Sequence, residues 1–460
     1  MTAATTTPRH AVIAGLGRTG LASARYLHAQ GWRIAVTDSR AQPPELGALR
    51  AFAGDIVVRA GGLDTGLLDG AALVVASPGL ALDAPFFAAA RARGIEVVGD
   101  IELFARAARA PVVGITGTNG KSTVTTLLAQ MASRAGLAVR AGGNLGEPAL
   151  DLLGDPATAL YVLELSSFQL EATRSLELAA ATVLNVTADH MDRYATLADY
   201  AAAKARIFAH CHAAVINLDD PLVAAMRAGA GVDGSGDGAG RKTLTFSVLG
   251  AAGADYGLAD RGAVAGGEWL VRRDEPLLAL DELRIPGRHN AANALAALAL
   301  GEALGLARAP MLAVLREFRG LDHRTQWVAE VGGVRYVNDS KGTNVGATLA
   351  AVSGLPGTLV IIAGGDGKGQ DFTPLAAAFR GKVRHVVLIG RDAPAIAAVL
   401  AGVCPVTHEA TLEAAVRTAA RVARAGDIVL LSPACASLDM FRDYTQRGRV
   451  FEQAVRELAA

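Results

Sequence analysis

Net charge is absent from this 460-residue chain, where 44 Lys and Arg balance 44 Asp and Glu. That removes the long-range reason to expect nucleic acid or an anionic membrane as partner, although a local basic site remains open. Cysteine is scarce: Cys211, Cys404 and Cys435 are far apart, odd in number and without CxxC or Cys/His spacing, which argues against a disulfide framework and a zinc site. No apolar run reaches the ~18 residues that a membrane span needs. The opening MTAATTTPRH has no basic-then-apolar leader and reads as a loose tail, so a soluble, cytoplasmic protein is expected. Aromatics are only 5%, whereas glycine is plentiful at 52 and 51% of residues are hydrophobic, mostly Ala; this is an α/β composition.

At roughly 150 residues per domain, the length allows about three. Between His10 and Gly99, short apolar runs (AVIAGLG, WRIAVTD, ALVVASPG, GIEVVGD) alternate with Ala-rich helical periodicity, the mark of a doubly wound parallel sheet. The pattern restarts near Asp100 with PVVGITG, LAVRAGGN, ALYVLELSS, AATVLNVTADH and AAVINLDD as buried strands. A Gly/Asp-rich stretch, Gly229–Gly240, reads as an exposed loop, and Asp255–Pro286 as a small antiparallel excursion. A third series (VRYVNDS, TLVIIAGGDG, HVVLIG, DIVLLSPACAS) follows Gly320. The expected domains are 1–100, 101–320 and 321–460: a Rossmann-like sheet, a central P-loop-type ATPase α/β domain and a second Rossmann-like α/β domain.

Two glycine-rich turns carry chemistry. Gly15-Leu16-Gly17-Arg18-Thr19-Gly20 follows a strand and opens a helix, with Asp38 ending the next strand. Such a turn admits a diphosphate at a helix N-terminus, and a carboxylate at Asp38 can take ribose hydroxyls; NAD fits this motif taken alone. The second, Gly114-Ile115-Thr116-Gly117-Thr118-Asn119-Gly120-Lys121-Ser122-Thr123, resembles a P-loop whose amides cradle phosphates, with Lys121 on the β/γ-phosphates and Ser122 on Mg²⁺. Its glycine spacing is one residue longer than GxxxxGK[ST]. Glu164 and Asp189-His190 follow neighbouring strands, where a carboxylate and an imidazole can converge beside phosphates. In the third series, polar loops at Asn338–Thr343, Gly364–Gly369 and Ser432–Ser437 gather on one sheet edge, a surface suited to an anion.

These segments, together with GDIELF, GGNLG, ELSSFQLE, NVTADHMDRY, GRHNAANALAALAL, NDSKGTN, GGDGKGQDF and SPACASLD, resemble the Mur ligase family nearly from end to end, in its D-glutamate-adding branch. The resemblance implies an ATP-dependent amide ligase of peptidoglycan precursor synthesis, in which UDP-N-acetylmuramoyl-L-alanine is activated as an acyl phosphate and joined to D-glutamate. It assigns Gly117, Thr118, Asn119, Gly120, Lys121, Ser122 and Thr123 to the triphosphate, and Asn290, Asn293, Arg324, Asp339 and Lys341 to the rest of the nucleotide. It gives the catalytic set as Lys121, Glu164, His190 and Lys204, and the Mg²⁺ ligands as Ser122, Glu164, His190 and Lys204. Lys204 matches a carbamylated lysine that assists a second Mg²⁺; carbamylation turns a cation into an oxygen ligand. Thr19, Asp38, Arg40 and Asn144 would contact the UDP-muramoyl substrate, and Thr343, Lys368, Ser437 and Tyr444 D-glutamate. The expected partners are these small molecules, with no nucleic acid and no membrane, acting on a monomer. Gln326 stands where Glu is common in the family, and Tyr444 where Phe is; neither removes a group needed for phosphoryl transfer.

Overall fold

The computed structural model describes residues 9–144, 146–229, 241–250, 252–262, 267–285 and 287–458. Residues 1–8 of the expected tail lie outside them, whereas His10 already opens the first strand; of the Gly229–Gly240 loop only Gly229 is described, and it ends the helix Pro221–Gly229.

The first sheet contains β1 (His10–Ala14), β2 (Arg33–Asp38), β3 (Val57–Ala60), β4 (Leu73–Ala76) and β5 (Glu96–Val98), all parallel in the order β3-β2-β1-β4-β5. Strands β1 and β4 are buried almost throughout, because helices cover both faces of a parallel sheet. The strand order reverses beside β1, which puts the Gly15–Gly20 turn at the crevice where such sheets take ligands.

The second sheet is larger: β6 (Val112–Thr116), β7 (Val139–Gly143), β8 (Leu160–Glu164), β9 (Ala180–Val183), β10 (Ala213–Asn217), β11 (Lys242–Phe246), β12 (Tyr256–Asp260), β13 (Glu268–Arg272) and β14 (Glu275–Ala279). Its order is β14-β13-β12-β11-β10-β9-β6-β8-β7. The antiparallel excursion is therefore an extension of the main sheet: β12 joins β11 in parallel, and β13 and β14 turn back along its edge. Under β6 runs the helix Lys121–Arg134, packed against the helix Arg288–Ala303, whose residues from Ala294 to Gly301 are all buried.

The third sheet comprises β15 (Gln326–Val331), β16 (Val334–Asn338), β17 (Leu359–Gly364), β18 (Val383–Ile389), β19 (Val406–His408) and β20 (Ile428–Leu431), in the order β15-β16-β20-β17-β18-β19. It is parallel except for the β15–β16 hairpin. Separate apolar clusters cover its two faces, one around Ile361 and Leu388 and the other around Ile362 and Phe451. Among the described residues no helix is long and apolar enough to cross a membrane.

Candidate active site

Register places the central groups at one sheet edge. Ile115 of β6 pairs with Glu164 at the end of β8, and Thr116 with Val183 at the end of β9, so the loops after all three strands emerge together. The glycine-rich loop then runs from Gly117 to Gly120 and enters the helix at Lys121. Gly120 has φ +84°, and a Cβ there would stand 2.4 Å from Asn293 Oδ1, so glycine is what lets this loop meet the Arg288–Ala303 helix.

The segment after β9 braces the loop. Asn185 clasps Asn119, its Oδ1 accepting the Asn119 amide at 2.8 Å and its Nδ2 donating to the Asn119 carbonyl at 3.1 Å. Thr118 Oγ1 donates to Thr187 O and accepts from Thr187 N. Lys121 folds back, its Nζ donating to the Gly117 and Thr118 carbonyls at 2.8 Å, and burial lowers its pKa. Ser122 Oγ donates to Glu164 Oε2 at 2.6 Å, and Asn144 Nδ2 donates to Glu164 Oε1 at 2.6 Å. Burial pushes the Glu164 pKa up, but the Lys121 charge and these hydrogen bonds outweigh it and hold the carboxyl below its usual range. Lys204 is buried and donates to Gly117 O at 2.9 Å, with its Nζ 4.2 Å from the centre of the Tyr200 ring; burial and the Lys121 charge drive its pKa well down. His190 takes φ +57° and packs its ring against Phe168; burial lowers its pKa, which keeps the imidazole neutral.

The third sheet closes onto this edge. Arg324 Nη2 donates to Ser122 Oγ at 2.7 Å, and Lys368 Nζ meets Asp189 Oδ1 at 3.0 Å. Asn344, the N-cap of the helix Val345–Gly354, exchanges two side-chain hydrogen bonds with Asn119 and donates to Asp189 Oδ2 at 3.2 Å. Between the two domains a cleft of about 160 Å³ runs from Gly120 and Thr123 past Asn290 and Asn293 to Asp339 and Lys341. Asp339 is buried, accepts from Thr325 N and Ser432 Oγ, and has its pKa raised by burial to about 6. Lys341 lies 3.9 Å from the Tyr444 ring centre, its pKa lowered to about 7 by burial and by the Arg324 charge.

Thus Ser122, Glu164, Asn144 and Arg324 form one hydrogen-bonded group, Lys121 and Lys204 share the Gly117 carbonyl, and Lys368 reaches the same loop through Asp189, Asn344 and Asn119. Ser437 is buried at the loop after β20, and Thr343 lies between Lys341 and Asn344; no side-chain bond from either to the phosphate loop occurs among the described residues. Thr19, Asp38 and Arg40 sit apart, in the first domain, on the helix Arg18–Ala29, at the end of β2 and just after it. There the Asp38 oxygens accept from Leu16 N at 2.6 Å and from the Arg40 backbone and guanidinium. Burial raises its pKa, but Arg40 and the Leu16 amide outweigh that and hold it at about 2. Its task is to tie β2 to the glycine turn and to aim Arg40, half of which faces solvent. The sequence reading missed Asn185 and Asn344; their signal lies within NVTADH and NDSKGTN, but neither side chain has a function until the loops meet.

Ser122 Oγ and the Glu164 carboxylate are buried, mutually hydrogen-bonded oxygen groups of the kind that fit Mg²⁺, and His190 stands in the loop after β9 next to Asp189. Among the described residues no three acidic, His or Cys side chains form a self-sufficient cation cage. Lys204, as the free amine, is a hydrogen-bond donor and not an oxygen ligand.

Comparison with known proteins bears on the same regions. Residues 9–99 match the N-terminal domain of MurD-like Mur ligases, 115–301 the Mur ligase middle domain, and 323–435 the Mur ligase glutamate ligase domain. The chain is 55% identical over 449 residues to the UDP-N-acetylmuramoylalanine–D-glutamate ligase of Nitrosococcus oceani, covering 97% of this chain and 96% of that one. It is 52% identical over 448 residues to the enzyme of the same name from Methylococcus capsulatus, covering 97% and 95%. Among solved structures, the UDP-N-acetylmuramate-alanine ligase of Thermotoga maritima aligns with a TM-score of 0.61 at 19% identity, covering 98% of this chain and 99% of that one. MurF from Acinetobacter baumannii aligns at 0.59 and 16% identity, covering 98% and 90%, so the likeness to both is one of fold. With matches to all three domains and relatives above half identity along almost the whole chain, this protein belongs to the Mur ligase family.

Proposed function

We propose that this chain is an ATP-dependent amide ligase of peptidoglycan precursor synthesis, joining D-glutamate to UDP-N-acetylmuramoyl-L-alanine through an acyl phosphate. What carries the reading is the convergence of the Lys121 loop and the Ser122–Glu164 pair with Arg324 and Lys368 from the third sheet, in a chain so close to relatives named for this reaction. A monomeric cytoplasmic enzyme is part of the same reading.

A carboxylate is a poor acyl donor because its leaving group would be oxide, and phosphorylation supplies a better one. In the first step a carboxylate oxygen of the muramoyl-alanine attacks the γ-phosphorus and ADP leaves. In the second, the D-glutamate nitrogen, having lost its ammonium proton to solvent, attacks the acyl carbonyl carbon, inorganic phosphate leaves with its bonding pair, and the second proton lost from nitrogen goes to that phosphate or to water. Both partners of the first step are anions, so the site must offset their repulsion. The loop amides from Gly117 to Thr123 and the Lys121 ammonium hold the triphosphate, and Arg324 approaches from the closing domain. Bound Mg²⁺ would supply further charge neutralisation, held by Ser122, Glu164 and His190. Lys204 suits carbamylation as the aid to a second ion: its depressed pKa keeps a fraction of the amine neutral and able to react with CO₂. Asn290, Asn293, Asp339 and Lys341 line the nucleotide's cleft. Arg40 and Thr19, with Asp38 behind them, hold the uridine diphosphate, and Asn144 orients the muramoyl end. Lys368, Thr343, Ser437 and Tyr444 receive D-glutamate, where a cation and hydroxyls suit carboxylates.

ADP release tests the reading. It is expected only when UDP-N-acetylmuramoyl-L-alanine and D-glutamate are present together. Equal turnover with L-glutamate, or none with both proper substrates, would contradict it.

A further inference from the structure

The Lys368–Asp189 ion pair bridges two domains. Lys368, in the loop after β17, holds φ +51°, and its Nζ sits 3.0 Å from Asp189 Oδ1 in the loop after β9; both side chains are largely buried. Asp189 also accepts the His190 amide on Oδ1 at 2.9 Å and Asn344 Nδ2 on Oδ2 at 3.2 Å, so its carboxylate is fixed toward the third domain. Among the described residues the groups within ion-pair distance of Asp189 are the Lys368 ammonium at 3.0 Å and the His190 ring at 3.8 Å. When Lys368 turns to a substrate carboxylate, Asp189 loses its cation. A buried carboxylate without a partner is costly, so the exchange needs a second cation in the same place.

The incoming amino acid carries that cation itself. We propose that Asp189 binds the ammonium of D-glutamate while Lys368 takes one of its carboxylates, so that binding exchanges one internal ion pair for two intermolecular ones. The inference rests on the D-glutamate reading and deepens it by naming the amine's partner. Asn344 Nδ2 reaches both Asp189 and Asn119 of the glycine-rich loop at 3.2 Å, so an amine held at Asp189 stands near that loop, where the acyl carbonyl forms. It also gives a source of selectivity: a dicarboxylate without an amine satisfies Lys368 but strands Asp189, and is refused for that reason.

Glutarate, the dicarboxylate that lacks only the amine, is the probe. In the ADP-release assay on the full chain, the KM for D-glutamate is compared with the inhibition constant of glutarate competing against it. In the unaltered enzyme D-glutamate is expected to bind more tightly by about tenfold or more, the worth of a charge-assisted hydrogen bond. Asp189→Asn should raise the D-glutamate KM by about that factor and leave the glutarate constant unchanged or lower, because Lys368 is freed. Lys368→Met should weaken glutarate more than D-glutamate, because Asp189, no longer paired with Lys368, is free for the ammonium. The proposal is overturned if Asp189→Asn weakens both equally, as a structural role would, or leaves D-glutamate untouched. Should that variant fail to fold, the unaltered enzyme still decides, since equal affinity for the two ligands overturns the proposal. Failure of the ligase reading looks different: no ADP release that depends on D-glutamate in the unaltered enzyme.

Discussion

Asn344→Asp isolates domain closure from folding. Asn344 Oδ1 caps its helix by accepting Ala347 N at 2.8 Å, while its Nδ2 donates across the cleft to Asn119 and Asp189. Aspartate caps a helix as well as asparagine does, so the third domain should keep its stability. Across the cleft, the replacement loses one neutral and one charge-assisted hydrogen bond, together about 2 to 4 kcal/mol. It also sets a second carboxylate oxygen 3.2 Å from Asp189, worth about 5 kcal/mol of repulsion at an effective dielectric constant near 20 if nothing moves. Lys368 beside Asp189, and a rotation of the new side chain, offset most of that repulsion. A net penalty of about 3 kcal/mol on the closed arrangement lowers its population roughly 100-fold. The assay is kcat/KM for ATP in ADP release, with thermal unfolding measured alongside. We expect a loss of about 100-fold with a melting shift under about 2 °C, whereas Asn344→Ala should also lose a cap worth about 1 kcal/mol. Activity within about threefold of the unaltered enzyme, less than 1 kcal/mol, would refute the reasoning.

Lys121→Ala should abolish ADP release while unfolding at nearly the same temperature, and preserved turnover would remove the phosphate-loop argument. Lys204→Ala should lose activity and regain part of it with small carboxylic acids that replace a carbamate oxygen; unaffected activity would refute that role. Asp100, buried at the start of the helix Asp100–Ala107, accepts from Gln169 Nε2 on one oxygen and has no partner on the other, and burial raises its pKa from 3.8 to about 6. Because the folded-state value is the higher one, its contribution is fully present below pH 3.8 and is lost as pH rises through 6, a cost of about 3 kcal/mol for a shift of this size. Asp100→Asn should therefore raise the melting temperature at pH 8 by a few degrees and much less at pH 4, close to the unfolded-state value of 3.8, where most of the cost is absent; equal shifts at both pH values would contradict this.

Buried parallel strands were legible because each is a short run of consecutive apolar residues. β3 was not, since VVRA is mostly exposed, nor was β15, where Trp327 lies 67% open to solvent. β13 and β14 were seen as antiparallel, but their attachment to the nine-stranded sheet depends on pairing that no local pattern encodes. At the site, glycine spacing followed by Lys-Ser marked the loop between β6 and the helix Lys121–Arg134, and strand ends marked Glu164. The clasp of Asn185 on Asn119, the Asn344 bridge and the Lys368–Asp189 pair join loops 66, 225 and 179 residues apart, so they exist only once the sheets have folded and closed. Asp38 ends β2 beside the glycine turn, where the motif sets it, and its lone pairs serve Leu16 and Arg40, which no spacing announces.

The central claim is that a substrate carboxylate, and not water, attacks ATP at the Lys121 loop. Oxygen-18 placed in the terminal carboxylate of UDP-N-acetylmuramoyl-L-alanine tests it most directly. In a D-glutamate-dependent turnover the account predicts that each phosphate released carries a single oxygen from that carboxylate. Phosphate without the label, with its new oxygen drawn from solvent, would contradict it.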